Sequence, residues 1–360
     1  MVGVRTHQRR ARAMVDIRTQ ARRLLVLGLL RSAQPFSAPR RRTGTAPVRT
    51  ARVRRAAARS PEVGYHDYDG WRCAYRRYDG CSPAVVLLHP IGLGLSGWFW
   101  TKVAEALPNE VFVPDFVGCG LSDPWDPDER GMSLPGAYAR QVEALWRERI
   151  GKPCVVATQG GIAPVGVLLA SRSSDDWDGA RAVAGLALVS PPTWRDIAGG
   201  LDRREVAKNY EQLTSRLGRW GFDVLRREAF IRFFSDLFLF AGACDDAWVA
   251  NCLEDDARPK SEQPVLAFNA GIVNARPLYD ELASCVDQPV RVVEGAGDKR
   301  ARDRGGYEDA IVDCDRVTIP SACNVVGWEN PEATAAAVSS LVAKARKLGR
   351  LDEEDVIIVR

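Results

Sequence analysis

Two kinds of chemistry-bearing residue stand out in this chain: a glycine-rich segment spaced to cradle phosphate, and a very small set of groups able to move a proton. Gly92-Leu-Gly-Leu-Ser-Gly97 is a literal G-x-G-x-x-G between an apolar run and a helical pattern, with Asp115 closing the next apolar run. In a dinucleotide site such glycines admit the pyrophosphate at a helix start, and an acid roughly 20 residues on takes the ribose hydroxyls. Two features oppose that use here. His89-Pro90-Ile91 intervenes where the tight turn should begin at once, and Asp115 runs into Phe-Val-Gly-Cys-Gly-Leu-Ser-Asp123 rather than into a helix. Proton transfer is scarcer still. Activating a hydroxyl needs a base with pKa near 7, normally histidine. The chain has three, His7, His66 and His89, and none from residue 90 to the C-terminus. His66 precedes the first core strand and reads as a surface residue. The nine cysteines are odd in number and contain no Cys-x-x-Cys pair, so neither a disulfide framework nor a thiolate zinc site is expected. They read as reduced packing residues, Cys323 included.

The elements that must position these residues alternate. Val85-Val-Leu-Leu-His89 is a short β-branched run opening into the glycine-rich loop, which predicts a buried strand. Trp98 to Leu107 has helical spacing, Glu110 to Pro114 reads as the next strand, and Leu134 to Ile150 as an amphipathic helix. Cys154-Val-Val-Ala-Thr158 is a strand, Gly161 to Ser171 a helix, and Val183 to Val189 a strand. Pro289 to Glu294 and Arg316 to Pro320 supply two more strands, and Pro331 to Leu348 a closing helix with Pro in its first turn. Strands alternating with helices imply a mostly parallel sheet covered on both faces. Trp71 to Asp79 adds an antiparallel edge strand. From Trp194 to Asp287 the rhythm breaks. This interval has little strand character and a dense apolar helix, Phe230-Ile-Arg-Phe-Phe-Ser-Asp-Leu-Phe-Leu-Phe240, whose aromatics are expected in the core of a helical cap. Such a cap would lie over the carboxyl edge of the strands, where open α/β sheets bind ligands.

Charge divides the 360 residues in two. Residues 1 to 60 hold 16 Arg, no Lys and one acid, Asp16, whereas the remainder carries 34 basic against 45 acidic residues. An acidic body repels phosphate, which argues against a nucleic-acid partner. With 46% hydrophobic residues the body can bury a sizeable core. The longest apolar run, Leu24 to Leu30, falls far short of the roughly 20 residues of a membrane span. The Arg-rich, acid-poor leader has the composition of an organelle transit peptide, and its apolar stretch lies too far from the start for a secretory signal. Val53-Arg-Arg-Ala-Ala-Ala58 resembles plastid transit-peptide cleavage regions, so a mature chain starting near Ala56 to Pro61 in a plastid is expected, with the mitochondrion as alternative.

The motifs in order resemble the α/β-hydrolase family. The resemblance rests on His89-Pro-Ile-Gly92, Pro114-Asp115, Gly118-Cys-Gly-Leu-Ser-Asp123, Val156-Ala-Thr-Gln-Gly-Gly161, Gly295-Ala-Gly-Asp298, and Ile319-Pro-Ser-Ala-Cys-Asn324 followed by Glu329-Asn-Pro-Glu332. It spans about residues 65 to 345. It implies an α/β-hydrolase fold with core segments 61–193 and 289–348, a helical cap at 194–288 and a tail at 349–360. Carried over residue by residue, it puts Thr158 at the nucleophile position, Asp298 at the acid position and Asn324 at the histidine position. The oxyanion-hole donors would be the amides of Ile91 and Gln159, and His89 would be structural, as it usually is in that loop. The proton-transfer chemistry fails. Asn324 cannot accept a proton at any useful pH, and a β-branched residue is an outlier at the positive φ an elbow demands.

Three readings follow. The first is a protein on this fold that binds a small apolar molecule or a protein partner between sheet edge and cap, with no cofactor and no ordinary triad hydrolysis. The second is a non-standard hydrolase of an ester or lipid-like molecule acting through Thr158. The third is the dinucleotide enzyme. Against all three stands a decayed copy with no function in its pocket.

Overall fold

The computed structural model describes residues 59–172, 178–199, 201–274, 279–298 and 306–351. The expected leader up to residue 58 and the tail from 352 lie outside these. Eight strands form one sheet: β1 (Glu62–Tyr68), β2 (Trp71–Tyr78), β3 (Cys81–Leu88), β4 (Asn109–Pro114), β5 (Cys154–Gln159), β6 (Val183–Val189), β7 (Val290–Gly295) and β8 (Cys314–Ile319). Their order across the sheet is β1-β2-β4-β3-β5-β6-β7-β8. β1 and β2 pair antiparallel, as do β2 and β4, and every other pair is parallel. All residues of β5 and β6 are buried, as expected of strands covered on both faces.

Alternate residues of each strand serve different cores. Val86, Leu88, Val156, Leu186 and Val292 belong to one, and Val85, Leu87, Val155, Ala187 and Val293 to the other. The helices are α1 (Thr101–Ala106), α2 (Gly136–Leu145), α3 (Ala163–Ser171) and α4 (Gly179–Ala182) up to β6. Then come α5 (Trp194–Gly199), α6 (Arg203–Thr214), α7 (Arg216–Leu225), α8 (Glu228–Phe234), α9 (Asp246–Asp256), α10 (Glu262–Ala270) and α11 (Tyr279–Ser284). After β7 follow α12 (Gly306–Ala310), α13 (Val326–Glu329) and α14 (Pro331–Lys347). Side chains of α2 and α3 fill the first core and those of α1 and α14 the second. The last helix starts on Pro331, with the Asn330 side chain accepting from the Ala333 amide, and ends in Lys344, Arg346 and Lys347, which suit the negative end of its dipole.

The sheet edge differs from the expectation. Trp71–Tyr78 is an inner strand, and the edge is β1, whose half-polar sequence Glu-Val-Gly-Tyr-His-Asp-Tyr hides its pairing. His66 is accordingly not a surface residue. It is buried in β1, the strand that packs against α2.

Between β6 and β7 the described residues form helices and no strand, and these helices join both cores. Val265, Leu266 and Ala267 of α10 enter the first, while Ile231, Phe240, Trp248 and Val249 enter the second. The expectation that the aromatics of residues 230–240 are core holds for Phe240 alone; Phe230, Phe233, Phe234 and Phe238 belong to neither.

Candidate active site

The carboxyl end of β5 decides the chemistry. The strand runs through Gln159, whose backbone is still extended at φ −111°, and the left-handed residue of the turn is Gly160 at φ 62°. A single turn over Gly160–Ile162 then leads into α3. A Cβ added at Gly160 would meet nothing within 4 Å, so the turn points into open space where a side chain is lacking. The turn residue is therefore not Thr158, and the physical reason is the one its side chain supplies: a β-branched residue stays in the strand and glycine takes the positive φ.

Thr158 is fully buried on the face that Val156 shares, with its methyl 2.6 Å from where a Cβ on Gly166 of α3 would sit. Its hydroxyl has no hydrogen-bond partner. It faces α3 rather than the sheet edge. The expected donor shifts by the same two residues. The backbone N–H that follows a turn residue at Gly160 belongs to Gly161, whose place in the first helical turn leaves it without an intrahelical acceptor. Gln159 has another job: its side-chain Nε2 donates to the Asn324 carbonyl at 3.0 Å, bracing β5 against the loop after β8. Ile91 is buried in the loop after β3, in the first core.

Asp298 and Asn324 do meet. Asn324 Nδ2 donates to Asp298 Oδ2 at 3.3 Å. The two loops that carry them are laced together, with the Ala296 amide on the Ile319 carbonyl at 2.9 Å and the Gly297 amide on the Ala322 carbonyl at 2.8 Å. The Cys323 thiol reaches the Gly297 carbonyl at 3.7 Å. The segment after α8 locks onto the same place. The Leu239 carbonyl accepts the amides of Asn324 and Val325 at 2.9 and 3.2 Å, and the Glu329 carboxylate accepts those of Ala241 and Cys323, each at 2.7 Å. Burial pushes the Glu329 carboxyl up from its ordinary pKa, opposed by the two amides.

His89 is spoken for. The Phe116 amide donates to its Nε2 at 3.1 Å, which leaves the proton on Nδ1, 2.9 Å from the Pro90 carbonyl. Burial lowers its pKa, so the ring is neutral and holds two loops rather than a substrate. One polar residue at this edge escaped the sequence reading. Ser190 follows Val189, the partner of Gln159 in the sheet; it is buried, sits at φ 43° and has a hydroxyl without a partner. A serine in that conformation costs on the order of 1–3 kcal/mol, a strain typical of functional edges.

The glycine-rich loop has no room for a dinucleotide. The fully buried Asp115 carboxylate accepts Arg76 Nη1 at 2.8 Å and the amides of Gly97 and Leu121 at 2.7 and 2.9 Å. A Cβ at Gly94 would collide with the Cys252 carbonyl of α9, and the Ser96 hydroxyl donates to Asp255 on the same helix. The loop's closeness to backbone is spent on α9.

Among the described residues no group of three His, Cys, Asp or Glu side chains is placed to hold a metal. No described helix is long and apolar enough to cross a membrane.

Solved structures share this architecture. A thermophilic esterase from Thermogutta terrifontis is 19% identical and superposes with a TM-score of 0.60, covering 79% of this chain and 99% of its own. The haloalkane dehalogenase DatA from Agrobacterium tumefaciens is 16% identical at a TM-score of 0.60, covering 79% and 97%. A haloalkane dehalogenase variant from Bradyrhizobium elkanii is 17% identical at 0.61, covering 81% and 99%. No curated protein matches the chain in sequence. The profile of the alpha/beta hydrolase family matches residues 85–337, and the chain belongs to that family.

Proposed function

We propose that this α/β-hydrolase-fold protein binds a small, largely apolar molecule at the edge of the sheet beneath the cap, without triad hydrolysis. The observation that carries this is Gly160, the turn residue with open space over its Cα, where the fold presents a nucleophile. Asn324 beside Asp298 supports it, because an amide hydrogen-bonded to a carboxylate orients a ligand but takes no proton. The esterase and dehalogenases of the same fold favour hydrolysis as a second reading, and its candidate nucleophile is Thr158. The burial of that hydroxyl weighs against it.

A fluorophosphonate probe and short-chain esters decide between the two. The wild-type protein is expected to be neither labelled nor active, and Gly160→Ser with Asn324→His is expected to become labelled. Labelling of the wild type that disappears in Thr158→Ala would establish the threonine enzyme and end the binding proposal. We further propose import into a plastid, on the leader composition alone; a native N-terminus at Met1 would refute cleavage.

A further inference from the structure

Large hydrophobic side chains standing in solvent are few among the described residues, and half of them lie together. Of the six most exposed among the described residues, Trp220, Phe233 and Leu237 fall on the α7–α8 hairpin and its continuation, at 56%, 57% and 41% exposure. Beside them Phe230, Phe234 and Phe238 form a half-buried row, ring to ring at 6.3 and 5.0 Å. None of these six side chains joins either core. The row ends one residue before Leu239, whose carbonyl accepts the amides of Asn324 and Val325.

The charge of this hairpin runs against that of the body. Residues 216–239 hold five Arg against Asp223, Glu228 and Asp236, with Arg232 paired to Glu228 and Asp246, in a chain whose residues beyond 60 carry a net negative charge. Arg226 is committed to Asp256 at 2.7 Å, while Arg216, Arg219 and Arg227 are exposed. α7 buries Gly218 and Phe222 against the body and leaves Arg216, Arg219 and Trp220 in solvent, with Trp220 one turn from Arg216. An exposed Trp beside Arg suits the headgroup level of a bilayer, and the exposed Phe233 and Leu237 of the following segment suit the apolar layer beneath it.

We propose that the α7–α8 hairpin docks the protein on an anionic lipid surface. The Arg side chains meet the headgroups and Trp220, Phe233 and Leu237 enter the acyl boundary. The Arg side chains favour an anionic partner, and the exposed Trp, Phe and Leu side chains favour one with an apolar interior, which a lipid surface supplies and an acidic polypeptide does not. The docking stands on exposure and charge, apart from whether the site binds or hydrolyses what reaches it.

The test uses the full-length protein with hydrogen exchange read segment by segment, because the basic leader would itself bind anionic vesicles. Vesicles of phosphatidylcholine with phosphatidylglycerol are expected to slow exchange several-fold in residues 216–239. Phosphatidylcholine alone should not, and the effect should vanish in Trp220→Glu with Phe233→Glu and in Arg216→Glu with Arg219→Glu. Melting temperatures matching the wild type would show that these surface variants fold. Protection confined to residues 1–60 would overturn the proposal. So would protection of 216–239 that grows with protein concentration without vesicles, which assigns the face to a second copy, or protection by polyglutamate, which assigns it to an acidic protein.

Discussion

Thr158 carries a hydroxyl that pays desolvation and receives no hydrogen bond, since the strand pairs only its backbone. Replacing it by an isosteric methyl removes that debit, so Thr158→Val is expected to match the wild type or exceed it by up to about 1 kcal/mol in urea unfolding. Gly166→Ala is its counterpart: the new methyl would press on the Thr158 methyl at 2.6 Å and on Leu186 at 2.9 Å, and stability should fall. A Thr158→Val variant that folds but loses ligand binding would show that the hydroxyl faces the site after all. That Asp298 and Asn324 come together was legible in the sequence because Gly295-Ala-Gly-Asp298 and Ile319-to-Asn324 each follow a short strand closely. The turn was not, because G-x-S-x-G keeps one of its flanking glycines when centred on Thr158 and neither when centred on Gly160. The deciding fact, that only glycine takes positive φ cheaply, favoured the later register.

At the scale of elements, the edge strand β1 carries a buried base. His66 is 3% exposed with both ring nitrogens unpartnered, and Arg149 from the end of the α2 segment donates to the neighbouring Tyr65 carbonyl at 2.9 Å. Burial first, and the Arg149 charge second, lower the His66 pKa to about 4. The unfolded chain takes up this proton near pH 6.5 and the folded protein only near 4, so between these values unfolding binds protons and stability drops as pH falls. The loss at pH 4 is about 3 kcal/mol at most. His66→Phe should flatten the stability profile across that window relative to the wild type; identical slopes in urea unfolding at pH 4.5 and 7 would refute the assignment. The parallel strands were readable from their β-branched runs, and Val183 to Val189 matched to the residue. β1 was not, since its burial alternates weakly with polar residues. Nor was the helical turn Ser235–Leu239, wider than an α-turn, that carries Leu239 to the Asn324 loop: its sequence shows only apolar helix, and its geometry depends on what it meets.

Across the whole molecule the helices between β6 and β7 share a core with the sheet. Trp98 from the glycine-rich loop, Trp248 from α9 and Trp328 from α13 meet edge to face with centroids 5.2 to 5.6 Å apart, and Phe240 adds a fourth ring 5.1 Å from Trp248. Lys102 of α1 lies 3.6 Å over the Trp328 ring, and Asp245 ahead of α9 accepts the Trp328 indole N–H at 3.0 Å. This cluster belongs to the same core as the inner residues of β3, β5 and β6. Aromatic pairs of this kind add about 0.5–1.5 kcal/mol each beyond the area they bury, so opening the cap would break the contacts that hold the core together. The cap and the sheet should therefore unfold in one transition. Tryptophan fluorescence, with three of the ten tryptophans at the junction, and far-ultraviolet circular dichroism, dominated by the elements, are expected to give coincident midpoints in denaturant. Trp248→Ala should move both midpoints down together by the several kcal/mol of a buried aromatic, without separating them. Fluorescence that melts ahead of the circular dichroism in the wild type would mean a cap that opens on its own. Ligand access would then be governed by that opening rather than by a pocket held ready beneath it.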